Sequence, residues 1–301
     1  MRAVIFGASG LLGRSVLHAF GDVAVTGTGL SRTAGGLVRV DATSAAGVGR
    51  LLGRDGPDVV VNCVGERRPD VWAASPGDAR GRNVEAARLI AEGAARCGAR
   101  LLHLSSDYVF DGTAAPYRPG SLPNPLNAYG RWKLRAEQAV RAACPGAVIL
   151  RLPVLYGPVQ FAGETNLTEI ARRLGAGGPV ELDDVCVRYP THVDEAAEVC
   201  RRLAGALVEG RRLGPVVHWS AEQGFTKYRM GVLIARRFGL SARIRAGATD
   251  AAGERPVDCR LDCQGLPEVL GPVRRRLFSE EFPPVVEPWL LARPAASREG
   301  A

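Results

Sequence analysis

The sequence predicts an α/β fold: a doubly wound parallel sheet followed by a smaller, discontinuous C-terminal lobe. Over residues 1–157, short β-branched runs alternate with longer helical patterns, as successive βαβ units require. After Gly157 the alternation gives way to segments punctuated by glycine and proline. Hydrophobic residues make up 46% of the 301, enough for a sizeable core and against disorder.

The expected strands are Ala3–Phe6, Val23–Gly27, Leu37–Val40, Val59–Cys63, Leu101–Ser105 and Val148–Leu152, each a short apolar run bounded by glycine or polar residues. Between them the clearest helices are Leu11–Phe20, Ala79–Cys97 and Tyr129–Ala143, where apolar residues recur with helical period. Six such strands complete a Rossmann dinucleotide-binding sheet. Residues 1–157 are therefore read as that domain and 158–282 as a mainly substrate-binding lobe, some of whose segments return to the first domain. Helices are expected there at Glu195–Leu207 and Lys227–Phe238, and residues 283–301 form a frayed tail.

Composition narrows the function. Of 39 basic residues only Lys133 and Lys227 are lysines, and the net charge of +8 is dispersed rather than gathered with aromatics into a groove. That pattern argues against nucleic acid and suits an anionic small molecule. The apolar run before Gly7 is too short for a signal core, and no stretch reaches membrane-spanning length. The seven cysteines lack any Cys-x-x-Cys pair, which reads as reduced thiols in a cytoplasmic protein, and no spacing suggests a metal site.

Gly7-Ala8-Ser9-Gly10-Leu11-Leu12-Gly13 follows the first strand and opens the first helix. Gly7 permits the turn, Gly10 lets backbone approach a pyrophosphate, and Gly13 lets helix close on sheet, with the helix N-terminus aimed at the anion. The end of the second strand carries no carboxylate to hold a ribose 2′-hydroxyl; Ser31 and Arg32 there suit a 2′-phosphate. NADPH is thus the expected cofactor, ahead of NADH. Asp41 either meets the adenine end, with Ala42, or caps the next helix.

Tyr129 and Lys133 stand four residues apart, so a helix sets them on one face one turn apart. An ammonium beside a phenol favours phenolate, and the lysine can also hold a nicotinamide ribose. Upstream, the fifth strand ends in Ser105-Ser106-Asp107, at the carboxyl edge where open α/β sheets bind ligands. Ser106 is the candidate to bind a carbonyl, and Asp107 either orients substrate or caps a turn. Cys63, Val64 and Gly65 should line the nicotinamide side, with Ser105, Leu152 and Val154 completing the cofactor wall. Asn83 is an unusual residue for a helix interior and hints at a buried hydrogen-bonding task. Glu66, Arg188 and Arg255 are substrate candidates, the arginines as anion contacts. His192 is either structural or a ligand.

The segments GASGLLG, NCVG, SSDYVFDG, YGRWK and RLPVLYG, in this order, resemble the extended short-chain dehydrogenases, and specifically their dTDP-4-dehydrorhamnose reductase branch, over roughly residues 1–270. The resemblance implies a catalytic set of Ser106, Tyr129 and Lys133, with Asn83 in a proton relay, reducing a keto group on a nucleotide-activated sugar or similar metabolite. Asn62 to Val71, PTHV at 190–193, HWS at 218–220 and TKY at 226–228 further resemble the regulatory beta subunits of methionine adenosyltransferase, which implies a cofactor-binding regulatory role as an alternative. An epimerase or dehydratase is a third reading. As in many relatives, residues 79–97 and 129–143 could form the seam of a homodimer.

Overall fold

The computed structural model describes residues 1–65, 81–248 and 255–290. β1 (Arg2–Phe6), β2 (Ala24–Gly29), β3 (Val38–Arg39), β4 (Val59–Asn62), β5 (Arg100–Ser106) and β6 (Val148–Leu152) supply the six expected strands. β2 runs two residues further than expected and β4 stops before Cys63. The sheet nevertheless has seven strands, in the order β10-β6-β5-β4-β1-β2-β3. The seventh, β10 (Val216–His218), lies well beyond Gly157 and pairs parallel to β6, with Val216 opposite Ile149.

The sheet is covered on both faces, which is why β4 reads Val-Val-Val-Asn without polar alternation and is buried throughout. On one face lie α1 (Leu11–Ala19) and α6 (Val193–Val208), whose Val16, Ala196, Val199 and Leu203 join Ile5, Val61 and Leu150. On the other lie α2 (Ala45–Asp55), α3 (Ala86–Cys97) and α4 (Ala128–Ala143), which bury Leu52, Ile90, Ala136 and Val140 against Val4, Val60 and Leu101. α6 contains the helix expected at Glu195–Leu207, so that segment belongs to the dinucleotide-type layer and not to the lobe. His192 caps it, its Nδ1 accepting from the Asp194 amide at 3.2 Å. The helix expected from Ala79 begins outside the described residues; its described part opens as a π turn at Gly81–Glu85 before α3.

The lobe packs around its own core. β7 (Leu155–Tyr156) pairs with β9 (Thr191–His192), and β8 (Val180–Asp183) with β11 (Ile244–Gly247), both parallel. α5 (Asn166–Gly175) and α7 (Lys227–Phe238) close on them through Ile170, Leu174, Met230 and Ile234. α8 (Leu266–Leu270) returns to the main sheet layer, and α9 (Phe278–Glu281) joins the lobe core. Of the tail expected over residues 283–301, the described part is instead a helix, α10 (Pro283–Leu290), with Val285 and Val286 buried, and residues 291–301 lie outside the described residues. Burying those two valines stabilises the turn by several kcal/mol at most, about 1.5–3 kcal/mol each, which suffices to hold it. Among the described residues no helix is long and apolar enough to cross a membrane.

Candidate active site

The carboxyl ends of β1, β4, β5 and β6 define one edge, and the expected residues gather along it. Gly7 has φ +76°, and a Cβ there would lie 2.9 Å from the Cys63 carbonyl carbon and the Val64 nitrogen. A Cβ at Gly13 would lie 2.1 Å from the Gly7 carbonyl oxygen. These two glycines are therefore required by the protein's own packing. Gly10 is different: its φ of −79° suits any residue, and a Cβ would meet only the Gly7 oxygen, at 3.4 Å. Gly10 caps α1 without a side-chain acceptor, and no acid stands in the first turn. The first-turn amides of Leu11, Leu12 and Gly13 thus make a positive end suited to a phosphate.

α4 is held against the edge by two local devices. Asn127 caps it, Oδ1 accepting from the Gly130 amide at 2.9 Å, and Gly130 lets the helix approach so closely that a Cβ would lie 2.1 Å from the Tyr108 carbonyl oxygen. Lys133 is consequently buried, and its Nζ donates to the Leu104 carbonyl at 2.7 Å. Burial draws its ammonium down to about 8, with the nearby Glu137 carboxylate opposing. Tyr129, half-buried one turn earlier, meets the Tyr108 ring edge-on at 5.9 Å between centroids. Asn83, set by the π turn and buried, converges with Lys133 on Gly65: a Cβ there would lie 3.0 Å from Asn83 Oδ1 and 3.7 Å from Lys133 Nζ.

Ser106 is buried at the end of β5. Its hydroxyl donates to Asp107 Oδ1 at 3.0 Å and accepts from the Tyr108 amide at 3.2 Å. Burial pushes the Asp107 carboxyl up to about 6, against the pull of Arg188 and of that hydroxyl. Ser105, the residue before Ser106, is buried too and has its hydroxyl donating to Glu137 Oε1. Glu137 is in turn held by Arg151, through Nε at 2.9 Å and Nη2 at 2.7 Å, with both side chains buried. Sequence reading missed this pair, although Glu137 continues the Tyr129–Lys133 face by one further turn.

The remaining candidates divide. Cys63 and Val64 are half-buried beside Gly65, and the Val64 amide donates to Asn62 Oδ1 at 3.0 Å. Leu152 is a core residue, and the Val154 carbonyl accepts from the Thr191 amide. Asp41 Oδ1 accepts from the Thr43 amide and hydroxyl, and Ala42 packs partly against α2's layer. Ser44, not Asp41, caps α2. Ser31 is exposed. Arg32 Nη1 donates to Gln160 Oε1 at 2.7 Å and stands 3.7 Å from Glu164, so an acid from the lobe does reach the end of β2. Glu66 lies outside the described residues.

Arg188 is buried with its guanidinium 5.4 Å from the Tyr108 ring centroid, and it donates to the Val187 and Pro256 carbonyls. Arg255 is half-buried nearby, and both arginines, after burial itself, help hold the Lys227 ammonium below its usual range. Lys227, Arg188 and Arg255 thus form a cationic wall opposite Asp107 and Tyr108. Lys227 was not foreseen as part of it.

The doubly wound fold is similar to that of dTDP-4-dehydrorhamnose reductase from Clostridium acetobutylicum, at a TM-score of 0.80 and 23% identity over 95% of this chain and 99% of that one. The Bacillus anthracis dTDP-4-dehydrorhamnose reductase, solved in complex with NADP, matches at 0.79 and 20% identity, covering 94% and 98%. The chain belongs to the family described as the RmlD substrate binding domain, whose model matches residues 1–287. Among curated relatives, methionine adenosyltransferase 2 subunit beta from Bos taurus is 38% identical over 300 residues, covering 96% of this chain and 88% of that protein. A Mycobacterium tuberculosis dTDP-4-dehydrorhamnose reductase is 36% identical over 220 residues, covering 70% and 68%.

Proposed function

We propose that this protein is an NADPH-dependent reductase of a keto group on a nucleotide-activated sugar or a similar anionic metabolite. The observation that carries the reading is the convergence of Lys133 and Asn83 on Gly65 beside Tyr129, at the edge where a doubly wound sheet binds dinucleotides. Gly7, Ser9, Gly10, Leu11, Leu12 and Gly13 hold the pyrophosphate, Ser31 and Arg32 the 2′-phosphate, Asp41 and Ala42 the adenosine end, and Cys63, Val64, Gly65, Leu152 and Val154 the nicotinamide end. NADPH, when bound, supplies the hydride, so the ketone becomes an alcohol and NADP+ remains.

Ser106 donates a hydrogen bond to the substrate carbonyl and Tyr129 delivers the proton to its oxygen. Lys133, carrying its charge below about pH 8, lowers the phenol's proton affinity, and Asn83 links Lys133 to the next proton source. The wall of Lys227, Arg188 and Arg255 receives the anionic part of the substrate. The test is Tyr129→Phe in a chain titrated with NADPH and then given a panel of nucleotide-linked 4-keto sugars. NADPH binding is retained and turnover falls by at least about a hundredfold. A fully active variant refutes the mechanism.

The identity to methionine adenosyltransferase 2 beta subunits over nearly the whole chain favours a second reading, a cofactor-binding regulatory subunit. Mixing with a methionine adenosyltransferase then gives co-elution on gel filtration and altered synthetase kinetics. Unchanged elution and unchanged kinetics refute it.

A further inference from the structure

The end of β2 decides between NADPH and NADH in folds of this kind, because the ribose 2′ position lies there. Two arginines meet at this place. Arg14, from the first turn of α1, donates to the Ser9 carbonyl at 3.1 Å, and Ser9 itself lies against Gly29 at the end of β2, where a Cβ would be 3.4 Å from its hydroxyl. Arg32 follows three residues after Gly29. Between them stands Glu164, brought in from the lobe and only 4% exposed.

Glu164 is fully engaged. Its Oε1 accepts from Arg14 Nη1 at 2.9 Å and its Oε2 from Arg14 Nη2 at 2.8 Å, a bidentate pair, while Oε2 also accepts from the Gln160 amide at 2.8 Å. Arg32 Nη1 stands 3.7 Å from Oε1 and is bonded to Gln160. Burial alone would push the Glu164 carboxyl up, but Arg14, the Gln160 amide and Arg32 together hold it below its usual range, so it is ionised at neutral pH. Two guanidinium charges and one buried carboxylate leave a single net positive charge where a 2′-phosphate must sit.

We infer that Glu164 is a specificity-determining residue for the cofactor: by neutralising Arg14 it leaves only Arg32 to favour the 2′-phosphate, and so sets a modest preference for NADPH over NADH. This rests on the cofactor reading above. The lobe thereby carries, in one carboxylate, the acid that the β2 end lacks in sequence. A bidentate arginine is well suited to a phosphate, so releasing Arg14 adds one charge-assisted contact available only to NADPH.

The test compares NADPH and NADH affinities of the purified full chain by nicotinamide fluorescence. In Glu164→Gln the NADPH-to-NADH affinity ratio rises about tenfold, the size of one charge-assisted contact, and becomes steeper in its salt dependence. In Arg14→Gln the ratio falls by about as much, because an uncompensated carboxylate then faces the phosphate. The double variant returns to within about threefold of the parent ratio, because each change removes the other's partner. The Arg14 side chain is 24% exposed, so its guanidinium stays solvated when Glu164 is changed, and the opposite-signed Arg14→Gln effect is a second, independent arm. A ratio that is unchanged or lowered in Glu164→Gln overturns the inference while the cofactor reading stands. A parent chain that binds neither nucleotide overturns the cofactor reading itself.

Discussion

The phosphate loop allows the protein's need for glycine to be separated from a ligand's need. At Gly13 a methyl would sit 2.1 Å from the Gly7 carbonyl oxygen and 2.9 Å from the Ala8 Cα, against ordinary contacts of about 3.4 Å or more. Backbone opposes backbone there, so α1 must retreat from the loop by more than an ångström. Overpacking of that kind costs about 2–3 kcal/mol, which in a chain of this size lowers Tm by roughly 3–5 °C. At Gly10 a methyl meets only the Gly7 oxygen at 3.4 Å, on backbone that any residue adopts, so Gly10→Ala costs less than about 1 kcal/mol. Its methyl stands where phosphate must approach backbone, and NADPH affinity falls at least about tenfold. Thermal unfolding and nicotinamide fluorescence on both variants read the contrast. Gly10→Ala melting as low as Gly13→Ala, or binding NADPH as tightly as the parent, refutes the assignment of Gly10 to the ligand.

Two further predictions concern buried charge. Arg151→Met leaves the buried Glu137 carboxyl without its guanidinium partner and destabilises by about 3–5 kcal/mol, whereas the Glu137→Met/Arg151→Met pair recovers most of the loss, as urea midpoints will report. Asp107 has its folded pKa raised to about 6 by burial, above the unfolded 3.8, so the unfolded chain releases this proton first and stability falls as pH rises between the two values. Asp107→Asn removes that loss. Its stability relative to the parent therefore improves by about 1 kcal/mol between pH 5 and pH 8, and a difference that stays flat across that range contradicts the burial argument.

Local chemistry was legible in the sequence; distant encounters were not. Gly7, Gly10 and Gly13 announce their loop because strand, turn and helix are contiguous, and Tyr129 and Lys133 announce one face because helical period is local. The seventh strand fails that test, being only Val216–His218, too short to read as a strand and separated from β6 by the whole first part of the lobe. α6 was read as a helix correctly, but its apolar stripe does not say which of two cores it covers. Arg14 and Glu164 are 150 residues apart and Arg32 and Gln160 are 128, so nothing in either neighbourhood marks them as partners.

Those long-range contacts share a direction. Glu164 reaches the end of β2 from the lobe, where it meets Arg14 and Arg32, while Arg188, Lys227 and Arg255 gather near Asp107 and Tyr108. On the proposed reading the sheet edge supplies what a reduction needs at the reacting atoms, and the lobe supplies what distinguishes one ligand from another at each end. A change of cofactor preference and a change of substrate are thus both reached through lobe residues, without disturbing Lys133, Asn83 or the glycine loop. Fold alone therefore does not name the ligand: the edge formed by β1, β4, β5 and β6 lies before Gly157, whereas Glu164, Arg188, Lys227 and Arg255 come from segments after it.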